Sequence, residues 1–382
     1  MSKRSTNRKK GFSLLEMTVA TALGSLVVGA AVQLYVQGVG ATWTVSQRAE
    51  MQQDFRAASN MLTKDLSLAG AGLTQGAAIQ LPTSSTIPVL GCDQSKTCYI
   101  NGASVKYPEQ GSTPFLYGLL TGYNAGPTIS GQTTDTVTVV YTDPNFYLDC
   151  YTATVASATT VTFALPSTTS TNCTAPSSSK IQSINDSAVG LTPGDLVLFT
   201  FGSTQVVAEV YGATTSSTTA TFATSDPLSM NQGTSVTKSL GSQYVASPPA
   251  TAPTTGYAVR LLVITYYLDN SVTPPRLMRQ INGQSPIPVA ESVVYLKFSY
   301  DLFNPSTNTL ALNQPNPGSG DSSDTASNNL LPSQITQIHI LNMAMDSSVK
   351  GSLYGLAGGN QSVDLQTTVS ARNLTYVNNY GN

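Results

Sequence analysis

Charge is scarce in this chain. Asp, Glu, Lys and Arg supply 10% of its 382 residues, where soluble domains average about 25%. Histidine occurs once, at His339, and tryptophan once, at Trp43. The single imidazole alternates with Ile338 and Ile340 as in a strand, so it reads as a structural or surface histidine rather than a catalytic one. The Walker phosphate loop and the Gly-x-Ser-x-Gly elbow are both missing. Their absence argues against an assembly ATPase and a serine hydrolase. Basic residues do not cluster past Lys10 and do not interleave with aromatics, so no nucleic-acid partner is expected. No enzyme activity and no cofactor are expected.

Proline is missing between Phe12 and Ala69, although the chain holds 21 prolines. What fills the start of that stretch is apolar. A basic head (Lys3, Arg4, Arg8, Lys9, Lys10) ends at Gly11, and an apolar run follows from Phe12 to Val36 with one charge in it, Glu16. About 20 apolar residues span a bilayer. A carboxylate within such a helix costs roughly 2.5–3.5 kcal/mol on insertion scales. Three readings compete. A secretory signal has a shorter apolar core and a small-residue cleavage site. Gly29-Ala30-Ala31 imitates that site, but the run is too long and Glu16 is misplaced. A plain anchor, N-terminus inside by its basic flank, leaves Glu16 unexplained. The third reading makes Gly11 a processing site.

Lys9-Lys10-Gly11-Phe12-Ser13-Leu14-Leu15-Glu16, followed by the apolar helix, resembles the class III signal of type IV pilins and pseudopilins. The resemblance implies that a prepilin peptidase cuts after Gly11 and methylates the new amino group of Phe12. It also gives Glu16 a role in assembly and register. Freed by the cut, the Phe12 amine of one subunit can meet Glu16 of its neighbour, and pairing in low dielectric neutralises both charges together. Many major pilins carry a proline in this helix and this chain does not.

From Gln37 the helix pattern continues but turns polar. Met51, Phe55, Ala58, Leu62, Leu66 and Ala69 recur at three- and four-residue spacing and form one apolar stripe. Gly70 and Gly72 supply a stop. A helix from Phe12 to Ala69 would run roughly 85 Å at 1.5 Å per residue. With no second helix of that length, a sheet is its expected partner. Trp43 reads as an interfacial anchor or a packing residue. Removing the leader leaves 13 Lys and Arg against 20 Asp and Glu, a balance of −7.

Cysteine is nearly as rare as charge. Cys92, Cys98, Cys150 and Cys173 allow three pairings. Cys92–Cys98 and Cys150–Cys173 are favoured because each closes a local loop. The second pair flanks two strand-like segments, 151–155 and 160–164, and closing it contributes about 3 kcal/mol. Zinc is disfavoured by the wide Cys-x5-Cys spacing and the single histidine, and no metal is expected. Disulfides place the head in an oxidising compartment.

Beyond Gly72 the chain reads as strands and turns. The clearest strands are 136–141, 195–201 with 205–210, 257–268, 276–281, 286–291, 292–301, 335–345 and 363–373. Ser/Thr/Ala runs near 156–160, 166–180, 213–224 and 246–255 read as loops or weak edge strands. Residues 304–333 read as a polar loop, in which Asp321-Ser322-Ser323-Asp324 offers oxygens to calcium but lacks the EF-hand pattern. The Tyr-Tyr-Leu strand, Leu277-Met278-Arg279, the segment 289–301 and the closing Arg372-Asn373 are similar, in order, to the head of PilW-like minor pilins and J-type pseudopilins. With residues 9–70 that likeness covers about half the chain.

The expected fold is therefore α+β, a long N-terminal helix against a β-rich, mainly antiparallel head. The expected divisions are a leader (1–11), a transmembrane or filament-core helix half (12–36), an amphipathic half packed on the head (37–70), a Thr/Ser-rich insertion (71–255) and a pilin-like head (256–382). The resemblance implies a minor pilin of a type IV pilus, acting in assembly, in initiation or at the tip. The alternatives are a pseudopilin of type II secretion and an uncut, membrane-anchored periplasmic binding module. Implied partners are other minor and major pilins, prepilin peptidase, the inner-membrane assembly platform and, before assembly, lipid. The implied location is the inner membrane with a periplasmic head, then the pilus or cell surface.

Overall fold

The computed structural model describes residues 11–73, 78–100, 105–110, 112–168, 171–244, 254–304, 307–315, 330–350 and 360–374. The leader residues 1–10 and the Asp321–Asp324 loop lie outside them.

Leu14–Ser67 forms one α-helix of 54 residues. Nothing in the segment interrupts it, since proline is absent and Ala, Leu, Met and Gln are good helix formers. It ends where the backbone turns left-handed, at Gly70 (φ 77°) and Gly72 (φ 73°). Glycine occupies that region without penalty. A side chain at Gly72 would also collide with Thr142 Oγ1.

The chain divides into two units. One comprises residues 1–53 and 347–361, the other residues 54–346 and 362–382. In the first, the apolar run is exposed and packs on no other described residues. Phe12, Leu15, Leu23, Leu26, Val28 and Tyr35 are all more than half exposed. The hydroxyls within the run do not need one. Thr18, Thr21 and Ser25 donate to the carbonyls of Leu15, Met17 and Ala22 at 2.8–3.0 Å, so the backbone satisfies them without water.

In the second unit, Phe55, Ala58, Leu62, Leu66 and Ala69 are buried, and so is Met51 in the preceding unit. The head is organised around the strand Thr255–Asp269, the central member of a ten-stranded antiparallel sheet. One edge of that strand pairs with Leu196–Phe201 and Arg276–Ile281, the other with Ala153–Ser157 and Thr136–Thr142. Strands from both sides of residue 255 therefore build a single sheet. Six consecutive residues of the central strand, Val263 to Leu268, are buried, because strands occupy both edges there and both faces are covered. A cluster beneath it stacks Phe199 on Phe201 at 5.8 Å and sets Phe222 edge-on to Phe199 at 5.4 Å.

A second sheet runs in the order Thr309–Gln314, Val293–Asn304, Ile335–Lys350, Asn360–Ser370. The first of these strands falls inside the segment expected to be a polar loop. Its leucines explain the misreading, because Leu310 and Leu312 are exposed at an edge and leave no burial pattern. Buried Asp135 joins the two sheets. It takes Lys297 Nζ at 2.7 Å and the Phe298 amide at 3.0 Å.

Helix and sheet are joined by Asp65. Its carboxylate is 4% exposed and accepts from Tyr266 OH at 2.6 Å, Arg279 Nε at 2.9 Å and Tyr141 OH at 3.3 Å. Burial, reinforced by Asp65, pushes the Tyr266 and Tyr141 phenols up, which keeps both as O–H donors. Asp65→Ala strands a mostly buried guanidinium, and breaking such a pair from one side costs about 3–5 kcal/mol. Chemical denaturation of the full chain in detergent should register that loss in the head. An unchanged midpoint would remove Asp65 from its role.

Candidate functional site

Gly11, Phe12 and Ser13 precede the helix and are exposed. A peptidase needs access to unfolded backbone, and the Gly11–Phe12 bond offers it. Two residues further on, the helix start is closed by a reciprocal pair. The Ser13 amide donates to Glu16 Oε2 at 2.9 Å, and the Glu16 amide donates to Ser13 Oγ at 3.2 Å. This is a capping box, which satisfies two orphan amides of the first turn and places a carboxylate at the positive end of the helix dipole. The sequence reading singled out Glu16 and passed over Ser13. The signal was present as Ser-x-x-Glu before an apolar run. Glu16 thus has a local occupation in the single chain as well as the intermolecular one expected of it.

The four cysteines form Cys92–Cys98 and Cys150–Cys173. Cys92–Cys98 closes a turn whose Asp93 carboxylate gathers the Ser95 and Thr97 amides at 2.8 and 3.1 Å and the Tyr99 hydroxyl at 2.6 Å. Cys150 ends a short 3-10 turn, Leu148–Cys150, ahead of the hairpin Ala153–Ser157/Thr160–Phe163. Asp149 takes the Thr174 amide at 2.8 Å on the far side of the bridge. All four cysteines are disulfide-bonded, so none of them offers a thiolate.

His339 stands between two strands of the second sheet. Nε2 lies 2.9 Å from Asp301 Oδ2 and Nδ1 lies 2.9 Å from Thr368 Oγ1. The imidazole links three strands, in keeping with a structural residue.

Glu209 and Asp226 form a buried acid pair that no motif in the sequence marks. Glu209 ends the strand Thr204–Glu209, and Asp226 lies in the loop after the next strand, Thr219–Thr221. Asp226 accepts the Met230 and Asn231 amides at 2.6 and 3.0 Å, while Glu209 accepts the Leu228 amide at 3.0 Å and is bonded by Gln94. Asn231 closes the set by donating to the Glu209 carbonyl at 2.6 Å. Burial, with Asp226 beside it, raises Glu209 to about 9, and burial raises Asp226 as well. Two carboxyls in one buried place hold a proton between them. Such pairs occur in catalytic clefts, but here amides and side-chain amides enclose both groups. The arrangement fixes the 226–231 loop and the Cys92–Cys98 turn onto the strand end.

A family model described as the prokaryotic N-terminal methylation motif matches residues 6–32. No curated protein and no solved structure matches the chain. The match covers Arg8, Lys9 and Lys10 of the basic head, Gly11, Phe12, Glu16 and most of the exposed apolar run. It marks a prepilin-type N-terminus, the kind carried by type IV pilin-like proteins and pseudopilins. Such a motif implies processing by prepilin peptidase and assembly with other pilins, and it points to a structural rather than an enzymatic protein. Motif, single apolar helix and disulfide-bonded head together fit a membrane-anchored chain with a periplasmic head.

The acid pair makes a pH prediction. The folded chain retains a proton that the unfolded chain releases above about 4.5. This stabilisation is complete below that value and is lost as pH rises from there towards about 9. Calorimetry between pH 5 and 8.5 should show the melting temperature of Glu209→Gln falling less steeply than that of the parent. Parallel curves would show that the pair carries no extra proton.

Proposed function

We propose that this chain is a minor pilin of a type IV pilus, of the PilW-like kind, acting in pilus assembly, in initiation or at the tip. The observation that carries the reading is the exposed apolar helix half behind Gly11, with a lone acid one turn in. Exposed on this scale, an apolar surface needs lipid or sibling helices around it. The membrane surrounds the helix with lipid first and assembly with neighbours later, and Glu16 makes the second state preferable. Within a bundle it can exchange its capping amide, or share it, with the freed amine of the adjacent Phe12.

Cleavage falls between Gly11 and Phe12, and methylation falls on Phe12. Partners are other minor and major pilins, prepilin peptidase and the inner-membrane assembly platform. Before assembly the chain sits in the inner membrane, N-terminus in the cytoplasm and head in the periplasm, and from there it passes to the pilus. A head extending from about residue 71 to Asn382 would crowd the shaft of a thin helical polymer. A terminal position has room for it, which favours a minor subunit.

N-terminal sequencing of the mature protein should return a methylated Phe12, whereas Met1 would mean an uncut anchor. A pair of variants separates the two occupations of Glu16. Glu16→Gln keeps an acceptor for the Ser13 amide but loses the charge, and Glu16→Leu loses both. If the intermolecular pair drives assembly, both variants enter filaments or pilus complexes at least tenfold less than the parent. Normal assembly of Glu16→Gln would leave only the cap.

A further inference from the structure

A cavity of about 420 Å³ opens between the rim of the ten-stranded sheet and the Cys92–Cys98 turn. Its floor is set by the pleat. Tyr267 and Asp269 lie two apart on one strand and face the same way, and Met278 lies directly opposite Tyr267 on the next. Tyr99 forms one wall, next to the disulfide, and Ser271 and Ser285 stand at the mouth.

Three features define what the cavity would accept. First, it is prearranged: the disulfide and the Asp93 carboxylate hold Tyr99 in place. Second, two of its polar groups keep capacity for a ligand. Tyr267 is 2% exposed, yet its hydroxyl has no hydrogen-bond partner among the described residues. Asp269 uses Oδ1 for the Ser271 amide at 2.9 Å and leaves Oδ2 uncommitted among them. Third, its charge has one sign. Asp269 is the one charged side chain in the lining. Arg276, opposite it in register, is drawn to Glu291 at 3.2 Å.

We propose that this cavity binds a primary alkylammonium group, a lysine-like cation on an apolar stem. Carboxylate and hydroxyl oxygens accept from an ammonium, which has three donors and no acceptor. Two tyrosine rings and a thioether suit the stem and the cation together. Once trimmed after Gly11, as proposed above, the chain's balance of −7 adds a field that draws cations in. A carboxylate ligand would meet Asp269 with repulsion and find no cation among the described lining residues to offset it.

The test uses the full chain in nonionic detergent with methionine methyls labelled for NMR, and Met278→Leu assigns the reporter. Pentylammonium is the probe, with pentanol as its neutral isostere, methyl galactoside as a hydroxylated neutral ligand and the peptide Gly-Lys-Gly as a polypeptide source of the same cation. The Met278 methyl should shift saturably with pentylammonium and not with pentanol. Asp269→Asn, which keeps an oxygen for the Ser271 amide, should weaken binding about tenfold, or about 1.4 kcal/mol. Tighter binding of the peptide than of pentylammonium would place the cation on a protein partner, and the reverse order would make it a small amine. No saturable shift, an equal response to pentanol, a response to the galactoside alone, or unchanged affinity in Asp269→Asn would each overturn the proposal. None of these results bears on whether the chain is a pilin.

Discussion

A carboxylate taken out of water must be met by donors, and Asp65 is met by three of them from three neighbouring strands. Tyr266 lies on the central strand, Arg279 directly opposite it, and Tyr141 on the strand along the other edge. One helical side chain thus fixes which turn of the helix lies over which part of the sheet. The apolar stripe alone would tolerate slippage by a turn, since Leu62 and Leu66 are interchangeable to a greasy surface. The buried ion pair is not, and register is the best-attested use of such pairs.

The same economy of charge runs through the molecule. Acids that are buried have dedicated partners: Asp135 joins two sheets through Lys297, and Asp143 holds Arg260, which also reaches the Val189 and Gly190 carbonyls. Glu209 and Asp226 have only neutral donors, so a proton takes the place of a cation. Glu16 differs from all of these. It is exposed, capped only by Ser13, and surrounded by exposed apolar side chains. A head that settles its own charges internally and a helix that does not are what an assembling subunit requires.

Legibility followed the range of each interaction. The helix could be read because it depends on local propensity and a three-to-four-residue stripe. The disulfides could be read because each spans a short loop, of 6 and 23 residues. Paired strands such as Thr136–Thr142 and Thr255–Asp269 announced themselves through runs of β-branched and aromatic residues. The edge strand Thr309–Gln314 did not, since an exposed face imposes no pattern on its side chains. Ser13 was legible as half of a capping box. Attention to the misplaced charge of Glu16 obscured its local use.

The prepilin-type motif, membrane-length helix and helix end are properties of contiguous residues, and the amino-acid order determined them. Contacts across long stretches of chain were decided only on folding. Asp65 and Arg279 are 214 residues apart, Gln94 and Glu209 are 115 apart, and neither pair shares a motif. The cavity beside Tyr267 arises likewise, from a disulfide turn brought over a sheet rim by strand pairing. Register and layer packing place such groups together, and neither is written in any one segment.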